Sequence, residues 1–351
     1  MSKARTRGSR LLITAIAATA LTLGAAAVIA GCGSSDSSST GSSGSGPNSG
    51  EKLDVVGYST PETVYEEGLE PGFNKTKDGA GVSFSNSFGA SGDQSRAVEA
   101  GQPASVVHFS QAGDMTRLVD AGIVSKDWDK QKYDGIAQNS VVVIVTRKGN
   151  PKGIKSFDDL INKDVSIVTP NPFSSGSARW NIMAIYGSQI EQGKTPDQAL
   201  AAVKTVLGKT AVQPGSGRDA LAAFTQGEGD VLLSYENEAI AAQREGEDVD
   251  YVIPDDTILI QTPVAVTEGA PAAATAFLDY IWSDAGQKVW AENGYRPVNP
   301  KLVDKKEFPT PKGLFTIDKF GGWDKVNDEF FDEAAGSVAK IEQELGVSTA
   351  G

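Results

Sequence analysis

The sequence contains one cysteine, Cys32, and one histidine, His108, in 351 residues. A single thiol cannot form an intrachain disulfide, so no such cross-link stabilises this chain. The sequence also shows no nucleophile placed beside a base, the arrangement that covalent catalysis needs. His108 lies in the apolar segment SVVHF, and we interpret it as a packed or hydrogen-bonded strand residue rather than as a ligand or a base.

Positive charge is also scarce, because 32 lysines and arginines stand against 45 aspartates and glutamates, a net charge of −13. A nucleic-acid backbone needs a basic footprint, so this balance argues against DNA or RNA as a partner. The acidic pairs Asp127/Asp129 and Asp255/Asp256 lack the spacing of a calcium loop, and we interpret them as solvated turns. Any anion site must therefore use local dipoles against an unfavourable overall field.

The first 31 residues have the pattern of an export signal. Four basic residues precede an apolar run, 11–30, and the run ends in Ile29-Ala30-Gly31-Cys32. That tetrapeptide resembles a lipobox, so we predict a lipoprotein signal peptide over 1–31 and a lipid anchor on Cys32. Because the apolar run approaches the length of a membrane span, an uncleaved anchor is the alternative. Removal of the leader would take the net charge to −17.

A Gly/Ser-rich linker, 32–50, follows the leader and cannot bury a core. Its predicted role is to hold a globular domain away from a membrane. The chain is therefore expected outside the cytoplasm, attached to the cell membrane and facing the periplasm or the cell surface.

Strand and helix patterns alternate through the rest of the chain. The runs that predict strands are 52–58, 82–88, 105–109, 140–147, 165–169, 211–213, 231–235 and 257–266. The segments that predict helices are 62–73, 93–100, 115–121, 180–186, 195–207, 218–226, 236–242, 272–282 and 285–292, with a mainly helical tail. Short connections between alternating strands and helices predict an α/β fold with parallel, doubly wound sheets.

Two long extended runs, near 140 and near 262, separate a middle block from its flanks. The simplest architecture has two doubly wound lobes joined by two crossings. We predict that 51–138 and 264–351 form lobe 1 and that 139–263 forms lobe 2. Ligands of open α/β sheets bind beyond the carboxyl ends of the strands, which here would be a cleft between the lobes.

Small residues recur where a predicted strand passes into a helix. They are Ser59, the run 89–92, the run 175–177 and the run 215–217. A helix start has backbone N–H groups without partners in the helix, and its dipole favours negative charge. Four such turns facing one cleft could surround a small anion with neutral donors. The alternative is that these are ordinary capping residues of α/β turns.

Four segments carry a family resemblance: TPNPFSSGSARWN (169–181), GRDALAAFTQGEGDVLLSYENEA (217–239), LFTIDKFGGW (314–323) and TRKGNPKGI (146–154). The chain resembles the sulfate-binding proteins of sulfate/thiosulfate ABC importers. The resemblance implies a type II periplasmic binding fold. It also implies a binding protein, not an enzyme, that captures sulfate or thiosulfate without metal or cofactor for a membrane permease; we expect a monomer.

The resemblance also implies which residues bind the ligand. The family's donors correspond to Ser59, Ser91, Ser175, Gly176, Ser177 and Gly217, with Arg218 as a neighbouring charge and Tyr235 at the end of a strand. The Ser91 hydroxyl is expected to be a further donor beside its N–H. Tyr235 stands where the family has a tryptophan donor, so its contact is open, and Ser177 replaces a frequent glycine without loss of its N–H.

Several residues leave alternatives open. Asp93 would repel sulfate and suit phosphate if it faced the ligand, but a solvent-facing position in the first turn of a helix is the favoured interpretation. Arg179 could pair with the anion or brace a neighbouring turn. Glu236 and Glu238 do not share a helix face, which disfavours joint acid–base chemistry, and Glu236 is expected to support the cleft or a helix start.

We therefore predict an extracytoplasmic lipoprotein that binds sulfate and delivers it to an ABC permease. The same fold could instead bind phosphate or another tetrahedral oxyanion such as molybdate. An enzyme acting on a sulfated or phosphorylated compound would need a general base at the cleft, which the sequence does not offer.

Overall fold

A computed structural model describes residues 46–349 of the chain. The predicted leader, Cys32 and most of the predicted linker lie outside the described residues. None of the described helices is both long enough and apolar enough to cross a bilayer.

Ten strands of this described part of the chain form one sheet. They are β1 (Lys52–Tyr58), β2 (Ser83–Gly89), β3 (Val106–His108), β4 (Ile136–Arg147), β5 (Ile167–Val168), β6 (Thr210–Val212), β7 (Val231–Tyr235), β8 (Val249–Val252), β9 (Asp256–Val266) and β10 (Gly313–Phe315). Eight of them correspond to predicted strands. The other two, β8 and β10, were not predicted, because each is short and pairs at the margin of a long strand.

Thirteen α-helices accompany the strands within residues 46–349. They are α1 (Glu62–Val64), α2 (Glu70–Asn74), α3 (Ser91–Glu99), α4 (Ala112–Asp120), α5 (Phe157–Asn162), α6 (Gly176–Glu191), α7 (Pro196–Leu207), α8 (Gly217–Thr225), α9 (Glu236–Arg244), α10 (Ala272–Ile281), α11 (Asp284–Glu292), α12 (Gly322–Val326) and α13 (Ser337–Glu344). A π-helical turn, Tyr65–Leu69, makes α1 and α2 one continuous segment that corresponds to the predicted helix 62–73. Each of the nine predicted helices has a counterpart.

The strand order is β2-β1-β3-β9-β4-β7-β5-β6. Parallel pairs lie at both ends, since β1 pairs with β2 and β3, and β5 pairs with β6 and β7. The long strands β4 and β9 run antiparallel to each other in the middle, and β9 also pairs with β3 while β4 also pairs with β7. These two strands are the predicted crossings. They join two halves, each with its own parallel strands and helices.

Each half has its own apolar core. Leu53, Phe277 and Trp290 belong to a cluster built from β1, α10 and α11. Trp180 and Val203 belong to a second cluster built around α6 and α7.

The chain from β10 onward packs on the second of these cores, which contains Phe315, Trp323, Val326, Val338 and Ile341. Pairing of β10 with the first residues of β9 fixes the entry to this tail. Thr116 of α4 also donates a hydrogen bond to Asp324 of α12, so the tail contacts both halves.

His108 is fully buried at the end of β3. Its ring nitrogens lie 3.0 Å from the Tyr65 hydroxyl and 3.0 Å from the Thr262 hydroxyl. Burial lowers the pKa of His108 to about 3, so the ring is neutral at physiological pH. The structure thus agrees with the interpretation of His108 as a hydrogen-bonded strand residue.

Candidate functional site

The small-residue turns lie at the carboxyl ends of the parallel strands of both halves. Ser59 follows β1, and Ser91 opens α3 after β2. In the second half, Ser175 precedes α6 and Gly217 opens α8. All four residues are buried. Contacts between the halves decide whether these turns share one place in the molecule.

The turn at α3 meets the turn at α6 directly. The Gly92 N–H donates a hydrogen bond of 3.0 Å to the Ser174 carbonyl. A Cβ added at Gly92 would lie 3.0 Å from the same oxygen. Arg96 of α3 also donates to the neighbouring Phe173 carbonyl. The first-half and second-half turns are therefore in backbone contact.

The turn at α8 meets the turn after β1. A Cβ at Gly217 would lie 2.9 Å from the Ser177 Oγ and 3.5 Å from the Thr60 Cγ2. The Arg218 guanidinium donates a 2.6 Å hydrogen bond to the Thr60 carbonyl. Together with the contact between α3 and α6, these distances bring the four predicted turns to one place.

Two of the helix starts at this place have no side-chain cap among the described residues. The side chain of Ser175 accepts no capping hydrogen bond at α6, and the same is true of the residue before α3. By contrast, the Ser216 side chain accepts the Asp219 N–H of α8. The first N–H groups of a helix have no intrahelical acceptor, so α6 keeps donors available for an anion.

The structure corrects the expectation that the Ser91 hydroxyl is a further donor to the ligand. Its oxygen accepts the Ser110 N–H at 2.9 Å, and its proton is donated to the Asp114 carboxylate at 2.7 Å. A hydroxyl has a single proton to donate, so Ser91 can offer a ligand its backbone N–H but not its hydroxyl proton. The sequence did not reveal this because Asp114 is 23 residues away.

Ser175 and Ser177 share a hydrogen bond of 2.8 Å between their hydroxyls, and both residues are buried. The hydroxyls of this pair therefore lie side by side at the start of α6. The N–H groups of Gly176 and Ser177 are in the first turn of the same helix.

Tyr235 ends β7 and is 1% exposed. Its hydroxyl lies 2.7 Å from the Ser110 Oγ, and either oxygen could be the donor. Burial raises the pKa of Tyr235 well above its ordinary value. The phenol therefore remains protonated and can act as a donor at neutral pH.

Arg218 is engaged by protein groups. Its guanidinium lies 3.3 Å from the buried carboxylate of Glu238, which is the leading cause of a raised pKa for Arg218. Burial raises the pKa of Glu238, and Arg218 opposes that shift. With its further bond to the Thr60 carbonyl, this arginine is a charge beside the turns.

The open alternatives for several side chains are resolved by their contacts. Asp93 is 56% exposed in an ion pair with Arg96, so it faces solvent. Arg179 donates to the Pro172 carbonyl and to the Asn327 side chain, and so braces the turn before α6.

Glu236 is fully buried and accepts two hydrogen bonds from the Arg296 guanidinium, at 2.6 and 2.9 Å. The pair joins the start of α9 to the chain after α11, so Glu236 supports a helix start. Trp180 and Trp323 pack edge to face with centroids 4.6 Å apart, as core aromatics do.

Sequence reasoning missed Ser110 and Asp114. Ser110 follows β3 and precedes α4, so it has the strand–small residue–helix pattern of the four predicted turns. That pattern could have identified it. Asp114 carries no such signal, since only folding brings it to Ser91.

Within 46–349, no group of three or more His, Cys, Asp and Glu side chains is arranged to hold a metal ion. The donors at the site are backbone N–H groups and hydroxyls. Such donors can hold an anion by hydrogen bonds and offer no strong acceptor for a proton.

Comparisons with known proteins extend over both halves. The model of a family described as bacterial extracellular solute-binding protein matches residues 53–296. The sulfate-binding protein of Synechococcus elongatus is 39% identical over 98% of this chain and 99% of its own length. The thiosulfate-binding protein of Pseudomonas aeruginosa is 34% identical over 82% of this chain and 91% of its own.

A solved structure agrees with these similarities. The sulfate-binding protein SubI from Mycobacterium tuberculosis H37Rv superposes with a TM-score of 0.78 and 43% identity. The match covers 80% of this chain and 100% of that one.

Proposed function

The chain belongs to the sulfate-binding proteins among the bacterial extracellular solute-binding proteins, and from this premise we propose that it captures sulfate between its two halves for the membrane permease of an ABC importer. The fold is the type II periplasmic binding fold. The observation that carries the proposal is the meeting of helix starts from both halves at one buried place.

The proposed ligand donors lie on these turns. They are Ser59, Ser91, Ser175, Gly176, Ser177, Gly217 and Tyr235, with Arg218 as a nearby charge. A hydrogen bond to a charged group contributes roughly 1.5–3 kcal/mol, so several are needed to offset the desolvation of a dianion. Neutral donors at helix starts can supply them in an acidic protein, because they act at short range.

Capture would follow from closure of two lobes about the crossing strands. We propose that 51–138 and 264–312 form lobe 1 and that 139–263, together with the chain from Gly313 onward, forms lobe 2. The assignment of the chain from Gly313 onward to lobe 2 is supported by the packing of this tail on the core around α6 and α7. The chain would act as a monomeric binding protein rather than as an enzyme.

Calorimetry of the domain from residue 46 onward tests this function. Sulfate is expected to bind with a micromolar Kd, about −8 kcal/mol, and 1 mM sulfate is expected to add about 4 kcal/mol to the free energy of unfolding. Thiosulfate, phosphate and molybdate serve as competitors. Heats of sulfate injection equal to buffer dilution would end the proposal.

Phosphate is the less supported oxyanion. Its remaining proton needs an acceptor in the site. The candidate from the sequence, Asp93, faces solvent, and the buried Asp114 already accepts the Ser91 hydroxyl. Displacement of bound sulfate by an equal concentration of phosphate at neutral pH would reverse this preference.

We also propose that Cys32 carries the lipid that holds the protein at the outer face of the cell membrane. The supporting observation is the Ile29-Ala30-Gly31-Cys32 run after a basic and apolar leader. Full-length protein expressed in bacteria is expected to incorporate labelled fatty acid and to sediment with membranes, whereas Cys32→Ala is expected to lose the label. Equal labelling of both proteins would contradict the anchor.

A further inference from the structure

Ser110 contacts three of the proposed ligand-binding residues, Ser91, Gly176 and Tyr235, although it lies outside the turns predicted from the sequence. Its N–H donates to the Ser91 Oγ at 2.9 Å, and its carbonyl accepts the Trp180 Nε1–H at 2.7 Å. A Cβ at Gly176 would lie 2.7 Å from both the Cβ and the Oγ of Ser110. The side chain is 1% exposed. It therefore lies between the two halves, against the start of α6.

The hydroxyls of Ser110 and Tyr235 form a pair 2.7 Å apart. Two hydroxyls have two protons, and the hydrogen bond between them uses only one. Within the described part of the chain, neither oxygen has another hydrogen-bond partner. One proton is therefore left without an acceptor, whichever of the two oxygens donates to the other.

A buried donor without an acceptor is costly, so such groups are nearly always paired. The pair lies against Gly176, at the N-terminal end of α6, where the oxyanion is proposed to bind. We propose that the Ser110–Tyr235 pair donates its remaining proton to the bound oxyanion, with Ser110 as a ligand-binding residue. This inference rests on the proposed function.

The pair differs from a single donor in its response to the loss of one hydroxyl. If either hydroxyl is removed, the other is released from its partner and still has a proton for the ligand. If both are removed, the donor is lost. Burial raises the pKa of Tyr235, so its hydroxyl keeps its proton when Ser110 is absent.

A hydrogen bond that only held the two halves together would respond to these substitutions in the opposite way. Removal of either hydroxyl would break the hydrogen bond between Ser110 and Tyr235, and removal of the second hydroxyl would cost nothing more. A double-mutant cycle therefore separates the two roles by the sign of the non-additivity.

The experiment measures the sulfate Kd by calorimetry for Ser110→Ala, Tyr235→Phe and the double variant. Each single change is expected to raise Kd less than about threefold, and the double change roughly 10- to 50-fold, the loss of one hydrogen bond to a charged group. The control is Tyr186→Phe, which removes a phenol hydroxyl on α6 at a distance from the turns and should leave Kd unchanged.

A double effect equal to or smaller than the product of the single effects would overturn proton donation by the pair. Absence of sulfate binding by the unaltered protein would instead overturn the proposed function. Melting of the ligand-free variants reports folding. If the double variant does not fold, Ser110→Cys combined with Tyr235→Phe takes its place under the same criterion, because a thiol is a weak donor.

Discussion

Replacement of Gly176 by alanine is expected to weaken sulfate binding by more than about 100-fold. The added Cβ would lie 2.7 Å from the Ser110 Cβ and Oγ, so the two halves could not approach as closely as they do here. Donors of one half would then lie beyond hydrogen-bond distance of the ligand. Two lost hydrogen bonds to a dianion amount to roughly 3–6 kcal/mol, which exceeds a 100-fold change.

The fold of this variant should remain intact, because Gly176 is the first residue of α6 and alanine is a good helix former. Its melting temperature without ligand is expected to match that of the unaltered protein, while the sulfate-induced shift disappears. Gly215→Ala is the matched control, since a Cβ there has no neighbouring atom within 4 Å. Wild-type affinity in Gly176→Ala would show that closure does not bring these surfaces together around the ligand.

Replacement of Ser177 by proline is expected to weaken sulfate binding by about 100-fold, and replacement by alanine less than about fivefold. Proline removes the N–H at the second position of α6, where the helix itself does not need it. Alanine removes only a hydroxyl that already bonds to the Ser175 hydroxyl. The difference between the two Kd values measures how much the backbone donor contributes to binding.

A proline control separates this effect from a distorted helix start. Ala285→Pro places proline at the second position of α11, where the native residue is exposed. It is expected to bind sulfate normally by calorimetry. Equal Kd values for Ser177→Pro and Ser177→Ala would refute capture by this backbone N–H.

The acidic composition and an anion site are compatible for a physical reason. Exposed charges are screened over about 10 Å at ordinary salt concentration, whereas dipoles at a helix start act within the first turn. In this protein Asp93 faces solvent and Glu238 is paired with Arg218. The carboxylates nearest the turns are therefore solvated, paired with an arginine or, in the case of the buried Asp114, hydrogen-bonded to the Ser91 hydroxyl, and the uncapped start of α6 supplies donors at short range.

Much of the fold could be predicted because it depends on local patterns. The alternation of strands and helices and the long runs at β4 and β9 are visible in the sequence, and the structure confirms them. The antiparallel pairing of β4 with β9 and the strands β8 and β10 depend on partners far along the chain. A three-residue strand such as β10 has no periodicity of its own to reveal it.

The family resemblance supplied the position of the turns, and the strand–helix pattern supplied a physical reason for donors there. Neither could show which acceptor receives the proton of each hydroxyl. The Ser91 hydroxyl was expected to be a ligand donor, but it donates to Asp114, and Ser110 was not considered. Both facts depend on side chains that meet across more than 20 residues of chain or across the two halves.

The sequence by itself determined that small residues open several helices after parallel strands, since capping and strand patterns are local. Only the tertiary structure decided which donors remain free, because a hydroxyl proton is committed by whichever acceptor the fold places beside it. It also decided that the tail packs on the core around α6 and α7, since burial of Phe315 and Trp323 depends on a surface formed by residues far earlier in the chain.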